Sequence, residues 1–310
     1  MQFYCDLSQE DITERNRLLS ESLRPPQPLF PIESEYPIVL DKKNTKYSYC
    51  LKVNNVLVSH LNLWPRVLHD RDTSTSFKIG LVGNVATNPN FRGYGYMRRC
   101  FEHLEEVCRH SNIEAIILWS DLLKIYGNLG FDTLGTEFRV TYNLTSLGGL
   151  PSIGNFNFKQ ACKSAVTSKT LHKLAETRYK TEAFLERSMQ EFKKLLNIPA
   201  MELFICTEGD KIQGYCIIGK GYDMTGVIHE WGAASPEVLM YGIKSMMKRL
   251  NLEDVMILIP GNISAQWLVP LIGYASSKET HPMALIKKIS NNPSLDSALN
   301  KLFVWGLDSI

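Results

Sequence analysis

The chain has little net charge and no apolar run long enough to cross a membrane. Its 310 residues include 34 lysines and arginines against 32 aspartates and glutamates, which gives a formal net charge of +2. Because basic and acidic residues are nearly equal in number, we expect no broad basic surface for nucleic acid, and any strong positive field must be local. The N-terminus has no basic segment followed by an apolar run. We therefore expect no signal peptide, no membrane contact and a cytoplasmic location.

The chain also lacks a paired cysteine pattern. Its seven cysteines are dispersed, stand mostly among apolar residues and form no C-x-x-C pair. An odd, scattered set predicts free thiols in a reducing compartment rather than a disulfide framework or a zinc site. We accordingly expect no metal cofactor.

Two common phosphate-binding motifs are absent as well. No G-x-x-x-x-G-K-[ST] occurs, and Gly93 and Gly95 do not begin a G-x-G-x-x-G, because Arg98 stands three residues after Gly95. A basic glycine turn is nevertheless present, between a β-rich apolar run at 76–87 and a helical pattern that starts near Met97. Glycines at such a junction let successive N–H groups converge on an anion, and the helix N-terminus adds its dipole. The turn therefore predicts a pyrophosphate site.

The turn reads V-x-x-x-P-x-x-R-G-x-G, which resembles the acetyl-CoA signature of the GNAT superfamily of N-acetyltransferases. The family core, Arg/Gln-x-x-Gly-x-Gly/Ala, corresponds to residues 92–97, although Met97 stands where a small residue is usual. For this hexapeptide alone, the alternative is a basic loop that caps a helix. The resemblance implies that backbone N–H groups bind acetyl-CoA: those of 85–87 would hold the pantetheine arm, and those of 92–97 would hold the pyrophosphate. The predicted cofactor-binding residues are Val85, Ala86, Thr87, Arg92, Gly93, Tyr94, Gly95, Tyr96 and Met97.

A second motif of the same family follows at the matching place. A compact apolar strand at 115–119 precedes a short helix that carries Tyr126, and Gly130-Phe131 comes next. By resemblance, Tyr126 would be the general acid that protonates the departing sulfur, a role that suits a phenol near a thiolate of comparable basicity. The alternative is a buried tyrosine with only a packing role.

The second half of the chain repeats the element order of the first. Gly273-Tyr274 lines up with Gly130-Phe131, and the linker candidate is 144–154, rich in Ser, Gly and Pro. We predict a catalytic GNAT domain at 1–146 and a second, degenerate GNAT-like domain at 147–310 with a C-terminal helix. The predicted fold is α/β (α+β): two GNAT-like domains, each a mixed, mostly antiparallel sheet flanked by helices.

The second copy lacks the residues of the site. The segment 232–237 replaces the arginine-glycine turn, and Val269 stands where the repeat would place the counterpart of Tyr126. We therefore predict one acetyl-CoA per chain, in the first domain. By resemblance to tandem GNAT proteins, the degenerate half would help to wall the acceptor site.

The general base is not defined by a motif. The strand 76–87 has no carboxylate that could serve directly, which leaves Glu230, His229, Asp121 or an ordered chain of water molecules. Glu230 is our catalytic candidate, because an acid within an apolar strand is costly unless it is partnered or functional. The alternative is a side chain that faces solvent.

Together these features predict an enzyme, an acetyl-CoA-dependent N-acetyltransferase that moves an acetyl group to a primary amine of a small molecule or peptide by direct attack. One alternative is a non-catalytic acyl-CoA sensor. Another is an aminoacyl or long-chain acyl transferase built on tandem GNAT domains, although a net charge of +2 does not suit a tRNA partner. The acceptor, the acyl-chain preference and the oligomeric state stay open.

Overall fold

A computed structural model of the chain describes residues 2–5, 7–151 and 156–310. The strands are β1 (Gln2–Tyr4), β2 (Ser48–Val53), β3 (Val56–Asp70), β4 (Ser76–Thr87), β5 (Ala115–Leu118), β6 (Asp132–Asn143), β7 (Phe156–Gln160), β8 (Ala183–Leu185), β9 (Glu202–Glu208), β10 (Lys211–Ile218), β11 (Val227–Ala233), β12 (Asp254–Pro260) and β13 (Ser277–Lys288). The helices are α1 (Gln9–Leu23), α2 (Ile32–Glu35), α3 (Tyr96–His110), α4 (Leu123–Gly127), α5 (Ser168–Thr177), α6 (Met189–Leu195), α7 (Pro236–Leu250), α8 (Ala265–Gly273) and α9 (Pro293–Lys301).

Local sequence signals explain the first elements. Helix α1 begins after a capping box, in which the Ser8 hydroxyl accepts from the Asp11 N–H at 3.1 Å and the Asp11 carboxylate accepts from the Ser8 N–H at 3.0 Å. The alternating pattern of 47–64 around Asn54-Asn55 predicts a hairpin. Strands β2 and β3 form it, and its turn places Asn54 and Asn55 at φ 50° and 63°. Asparagine tolerates this left-handed conformation better than most residues do.

Three sequence predictions about secondary structure are wrong. The polar and charged residues 66–75 predict a turn, but β3 continues to Asp70 because its end pairs with β8. The Glu-Lys pairs and the Ala and Leu positions of 158–196 predict a mostly helical segment, but β7 and β8 also form there, by pairing with distant strands. The helix expected over 294–310 ends at Lys301, and the buried segment that follows is not helical and contains a turn at 306–308. A segment buried on all sides lacks the polar face that an amphipathic helix needs.

The described strands lie in one sheet rather than two. Their order is β1-β2-β3-β4-β5-β13-β6-β12-β11-β10-β9-β7, with β8 paired to the end of β3. The β4–β5 and β11–β12 pairs are parallel and the other pairs are antiparallel. The predicted mixed, mostly antiparallel architecture is confirmed. So is the internal repeat, since β2-β3-β4-α3-β5-α4-β6 and β9-β10-β11-α7-β12-α8-β13 have the same order.

The two halves exchange a strand at the centre of the sheet. Strand β13 of the second half pairs with β5, and β6 of the first half pairs with β12. Residues 138–142, from their β-rich pattern, are predicted to be the strand that closes the first sheet. That prediction is wrong, because they belong to β6, which lies between β13 and β12 in the single sheet. The sequence identifies β6 as a strand, but its partners lie more than a hundred residues away and leave no local signal. The boundary predicted between 146 and 147 falls after β6, and part of the linker candidate, 152–154, lies outside the described residues.

The core covers both faces of this sheet. On one face of the first half, Phe101 and Leu104 of α3 pack against β4 and β5. A larger apolar cluster joins the rest of the first half to the second half. All seven cysteines are free and five of them are buried. None of the helices in the described ranges is long and apolar enough to cross a membrane.

Candidate active site

Strands β4 and β5 separate at the point where the site begins. They pair only from Ile79–Ala115 to Val82–Leu118, after which β5 ends and β4 continues to Thr87. Strand β4 also has a bulge after Gly83, where the register against β3 shifts and Asn84 takes φ 50°. The separation leaves one edge of residues 85–87 without a neighbouring strand, so their backbone groups there can meet a ligand.

The turn between β4 and α3 is shaped as an anion site. Gly93 and Gly95 take φ 84° and 78°, and a Cβ atom built on either residue would have no atom within 4 Å. Gly95 is the N-cap of α3, whose first turn has neither a side-chain cap nor an acidic residue. The free N–H groups and the dipole of such a helix end favour a bound anion.

Arginine side chains surround this turn. Arg92 and Arg98 are exposed, and their recorded contacts are with backbone carbonyl groups, of Thr87 at 3.3 Å and Asn128 at 3.0 Å. Neither contact neutralises the guanidinium charge, which remains available to a phosphate. The predicted cofactor-binding residues thus follow one another along the end of β4, the turn and the first residues of α3, and their role in binding stays a prediction.

Tyr126 lies beside the separated strands, on α4. Its ring is only 7% exposed and makes edge contacts with Phe101 and Phe131, at centroid distances of 6.0 and 5.8 Å. Burial raises the pKa of Tyr126 to about 12, so the phenol carries its proton at neutral pH and can donate it. Its hydroxyl makes no hydrogen bond with the described part of the chain.

A cavity of about 730 Å³ extends from Tyr126 and the free edge of β4 into the second half. The first half contributes Val82 to Val85, Leu118 to Leu123 and Tyr126 to its wall. The exchanged strands contribute Glu137, Arg139 and the β13 residues His281 to Leu285. The second half adds Lys220, Asp223, Met256, Leu258 and the main chain near Ile310, which packs directly on Gly83. Both halves therefore form the wall of the cavity.

Glu230 is placed away from this cavity. It is fully buried, its two carboxylate oxygens accept hydrogen bonds from Arg187 at 2.9 and 2.7 Å, and Tyr215 donates to it at 3.1 Å. His229 is also buried, with Nε2 2.9 Å from the Gly219 carbonyl oxygen. Neither residue lines the cavity. An acid in this apolar strand is thus accounted for by a buried partner, and the geometry does not support Glu230 or His229 as the base.

The same ion-pair network holds the C-terminal segment along the cavity. Arg187 also binds Asp308 at 2.7 Å, and Lys220 donates to the carbonyl oxygens of Gly306 at 2.7 Å and Ser309 at 2.6 Å. Burial lowers the pKa of Lys220 to about 8. The network therefore fixes one wall of the cavity, and Lys220 itself lines that wall.

We expect Glu230→Gln to destabilise the fold rather than abolish the chemistry. Removing one partner from a buried ion pair leaves the other underpaired, which costs about 3 kcal/mol of the free energy of unfolding. Urea denaturation measures the loss, with Glu176→Gln as the control because Glu176 forms an exposed pair with Lys173 and its loss should have no measurable effect. A large fall in turnover with unchanged stability would restore Glu230 as a candidate base.

The second half lacks the corresponding turn. Strand β11 and helix α7 are joined by Ala234 and Ser235 alone, whereas residues 88–95 join β4 to α3. The Ser235 hydroxyl caps α7 by accepting from the Val238 N–H at 3.4 Å. The carbonyl oxygen of Thr177 also packs directly against Gly232. The N-terminus of α7, which corresponds to the predicted pyrophosphate site on α3, is thus capped by Ser235, and Thr177 packs on the strand that leads to it.

A tryptophan also bridges the second pair of parallel strands. Strands β11 and β12 pair only at Val227–Met256 and Ile228–Ile257, but the indole N–H of Trp231 donates to the Leu258 carbonyl oxygen at 2.9 Å. Its fully buried ring contacts those of Tyr179, Trp267 and Trp305, at centroid distances of 5.2, 5.7 and 5.5 Å. Aromatic side chains therefore fill the gap between β11 and β12, whereas the corresponding gap between β4 and β5 is open. This supports the prediction of a second half without a cofactor.

The sequence did not single out Glu137, although it lines the cavity with Tyr126. An acid that alternates with apolar residues in β6 was a weak signal, because such a residue usually faces solvent. Only the exchange of β6 and β13 shows that this position is buried.

Comparison with known proteins assigns the fold. The family described as "Acetyltransferase (GNAT) domain" matches residues 4–134, while no curated protein matches the chain. A GCN5-related N-acetyltransferase from Kribbella flavida is similar at a TM-score of 0.64 and 13% identity, covering 93% of this chain and 70% of that one. A tandem GNAT protein from the clavulanic acid biosynthesis pathway has a TM-score of 0.56 and 9% identity, covering 94% and 99%. N-myristoyltransferase from Saccharomyces cerevisiae, with bound myristoyl-CoA, has a TM-score of 0.57 and 10% identity, covering 98% and 89%.

At these identities the structural likeness shows the fold alone, and the domain match is what assigns a family. Residues 4–134 match the GNAT acetyltransferase domain, and the chain as a whole has the fold of solved GNAT proteins. Its matched GNAT domain is the half that contains the open turn and Tyr126.

Proposed function

We propose that the chain is an acetyl-CoA-dependent N-acetyltransferase that acts on a primary amine. The observation that carries the proposal is the continuity of three features: the uncapped N-terminus of α3, the free edge of β4 and the cavity beyond it. A cofactor held at the first and extended along the second would present its thioester to the third. The second half offers no such path in its described residues.

In this proposal, the turn binds the cofactor by charge and backbone geometry. The N–H groups of 92–97 and the side chains of Arg92 and Arg98 bind the pyrophosphate, while the N–H groups of 85–87 bind the pantetheine arm and the thioester carbonyl oxygen. Hydrogen bonds to that oxygen stabilise the negative charge that develops on it during attack. Met97 is half-buried and begins the first turn of α3 after Tyr96, so its side chain can lie against the protein while its N–H faces the ligand.

The reaction is a direct transfer. The lone pair of the neutral amine forms the C–N bond at the thioester carbon, and the electrons of the C–S bond leave on sulfur. Tyr126 donates its proton to that sulfur and regains one from the attached nitrogen. The products are an amide and the free thiol of CoA. Holding both reactants in one cavity supplies orientation that would otherwise cost entropy.

Thiol release tests this function. The protein is incubated with acetyl-CoA and each of a panel of primary amines, including spermidine, tyramine, glucosamine and a short peptide with a free N-terminus. Thiol release that depends on one of these amines, with the matching acetylated product seen by mass spectrometry, is the expected result. Binding of acetyl-CoA without amine-dependent thiol release would favour the non-catalytic sensor instead.

A further inference from the structure

Glu137 occupies the centre of the sheet, where the two halves exchange strands. On β6 it lies directly opposite His281 of β13 on one side and Pro260 of β12 on the other. Residues directly opposite each other in an antiparallel pair project from the same face, so Glu137 and His281 are neighbours on one face. That face lines the same cavity as Tyr126.

The carboxylate of Glu137 is buried but only half satisfied. The residue is 6% exposed, and its Oε1 accepts from the Arg139 Nε at 2.9 Å. Its Oε2 accepts no hydrogen bond from any residue that the structure describes. The pair with Arg139 is therefore made through one oxygen, and the other oxygen remains available to a ligand in the cavity.

The surroundings of Glu137 strengthen its attraction for a proton. Burial raises the pKa of Glu137, the guanidinium of Arg139 and the charge of His281 oppose that rise, and Asp121 adds to it. A desolvated carboxylate with a raised pKa is a better general base than a hydrated one, since it accepts a proton more readily. The titratable groups that act on it are thus Arg139, His281 and Asp121.

We propose that Glu137 is the acceptor-binding residue and general base, which binds the ammonium group of a primary amine and takes its proton. This inference rests on the proposed function. The amine enters as R–NH3+, whose N–H groups bind Oε2, and one proton moves to the carboxylate. The neutral R–NH2 then attacks the thioester as above. The net change is R–NH3+ plus acetyl-CoA to the amide, CoA thiol and one proton, which leaves Glu137 for solvent.

The other acids are less suitable. Asp121 also lines the cavity, but it is exposed, so water competes with an amine for its carboxylate oxygens. The Asp223 carboxylate accepts from the Tyr36 hydroxyl and lies 3.2 Å from Arg24, so its charge is already shared. Both can add to a negative potential that draws a cationic amine into the cavity.

Glu137→Gln tests the inference through its dependence on pH. Glutamine has the same size and can still accept from Arg139, but it cannot take a proton. We expect acetyl-CoA affinity within about twofold of wild type, and kcat/KM lower by roughly 10²–10⁴ at neutral pH. The defect should shrink as the pH approaches the pKa of the amine, because an amine that enters without its extra proton needs no base. A merely structural role predicts a defect that does not change with pH.

Glu279→Gln is the matched control. Glu279 lies on β13 two residues before His281, pairs with that histidine at 2.8 Å and does not line the cavity. Glu279→Gln removes one negative charge, as Glu137→Gln does, from a neighbouring position. The dependence of its kcat/KM on pH should match that of the wild type. Glu137→Asp keeps a carboxylate but withdraws it from the amine, so its rate should fall while its pH profile keeps the wild-type shape.

The outcomes separate this inference from the proposed function. If the wild type turns over no amine of the panel, the proposed function and this inference fall together. If the wild type is active and Glu137→Gln keeps wild-type activity or shows a defect independent of pH, Glu137 is not the base while the proposed function stands. If Glu137→Gln does not fold, wild-type activity in Glu137→Asp overturns the inference.

Discussion

Gly95→Glu abolishes acetyl-CoA binding. Gly95 is the N-cap of α3, at φ 78°, in the turn where we place the pyrophosphate. A glutamate there sets a carboxylate against the phosphates, and two like charges at 4 Å repel by about 4 kcal/mol at an effective dielectric constant of 20. That energy corresponds to a loss of affinity of roughly a thousandfold, before the steric block to backbone approach is counted. Isothermal titration calorimetry measures it.

The control for this variant must carry the same backbone strain. Gly209 also has a left-handed φ, 57°, and a Cβ there would meet no atom within 4 Å, but it lies in the β9–β10 hairpin, which does not line the cavity. Gly209→Glu should lose stability to a similar extent and still bind acetyl-CoA normally. If Gly95→Glu folds and binds with wild-type affinity, the proposed turn is not the cofactor site.

Tyr126→Phe separates cofactor binding from turnover. Its ring packing against Phe101 and Phe131 remains, and no hydrogen bond of the described chain is lost with the hydroxyl. We expect unchanged acetyl-CoA affinity and an unchanged melting temperature, with kcat lower by roughly 10²–10⁴ because the departing thiolate loses its acid. Since the pKa of Tyr126 is raised to about 12, the wild type should keep this acid throughout the neutral and mildly alkaline range.

Tyr142→Phe is the control, because it removes the same hydroxyl group from a tyrosine that we do not place in the catalytic site. The Tyr142 hydroxyl is buried and donates to the Leu271 carbonyl oxygen at 2.8 Å. Its removal should cost about 1 kcal/mol of stability and leave kcat near normal. If Tyr126→Phe instead behaves like this control, with a lower melting temperature and a normal kcat, Tyr126 has a packing role and thiolate departure depends on backbone N–H groups and water.

The sequence was most informative where structure is local. The strand at 76–87, the turn with Gly93 and Gly95, and the helix after it carry their own signals in residue periodicity and glycine placement. Tyr126 could be found because it follows β5 within a short stretch of chain. These elements form one half of the proposed site, the half that binds the cofactor.

The acceptor half of the site depends on strand partners that no local pattern reveals. A side-chain period of two identifies β6 and β13 as strands but does not say that each crosses to the other half. Glu137 therefore looked like a surface residue. Glu230 stood out in the sequence as an acid within an apolar strand. Its buried partner, Arg187, comes from a distant segment, so no local pattern reveals the ion pair.

The measurement that bears most directly on the account is the calorimetric stoichiometry of acetyl-CoA. The open turn of the first half and the capped, covered turn of the second predict one molecule bound per chain, and that site should disappear in Gly95→Glu. Two equivalent sites per chain, or one site that survives Gly95→Glu, would contradict the assignment of the cofactor to the first half.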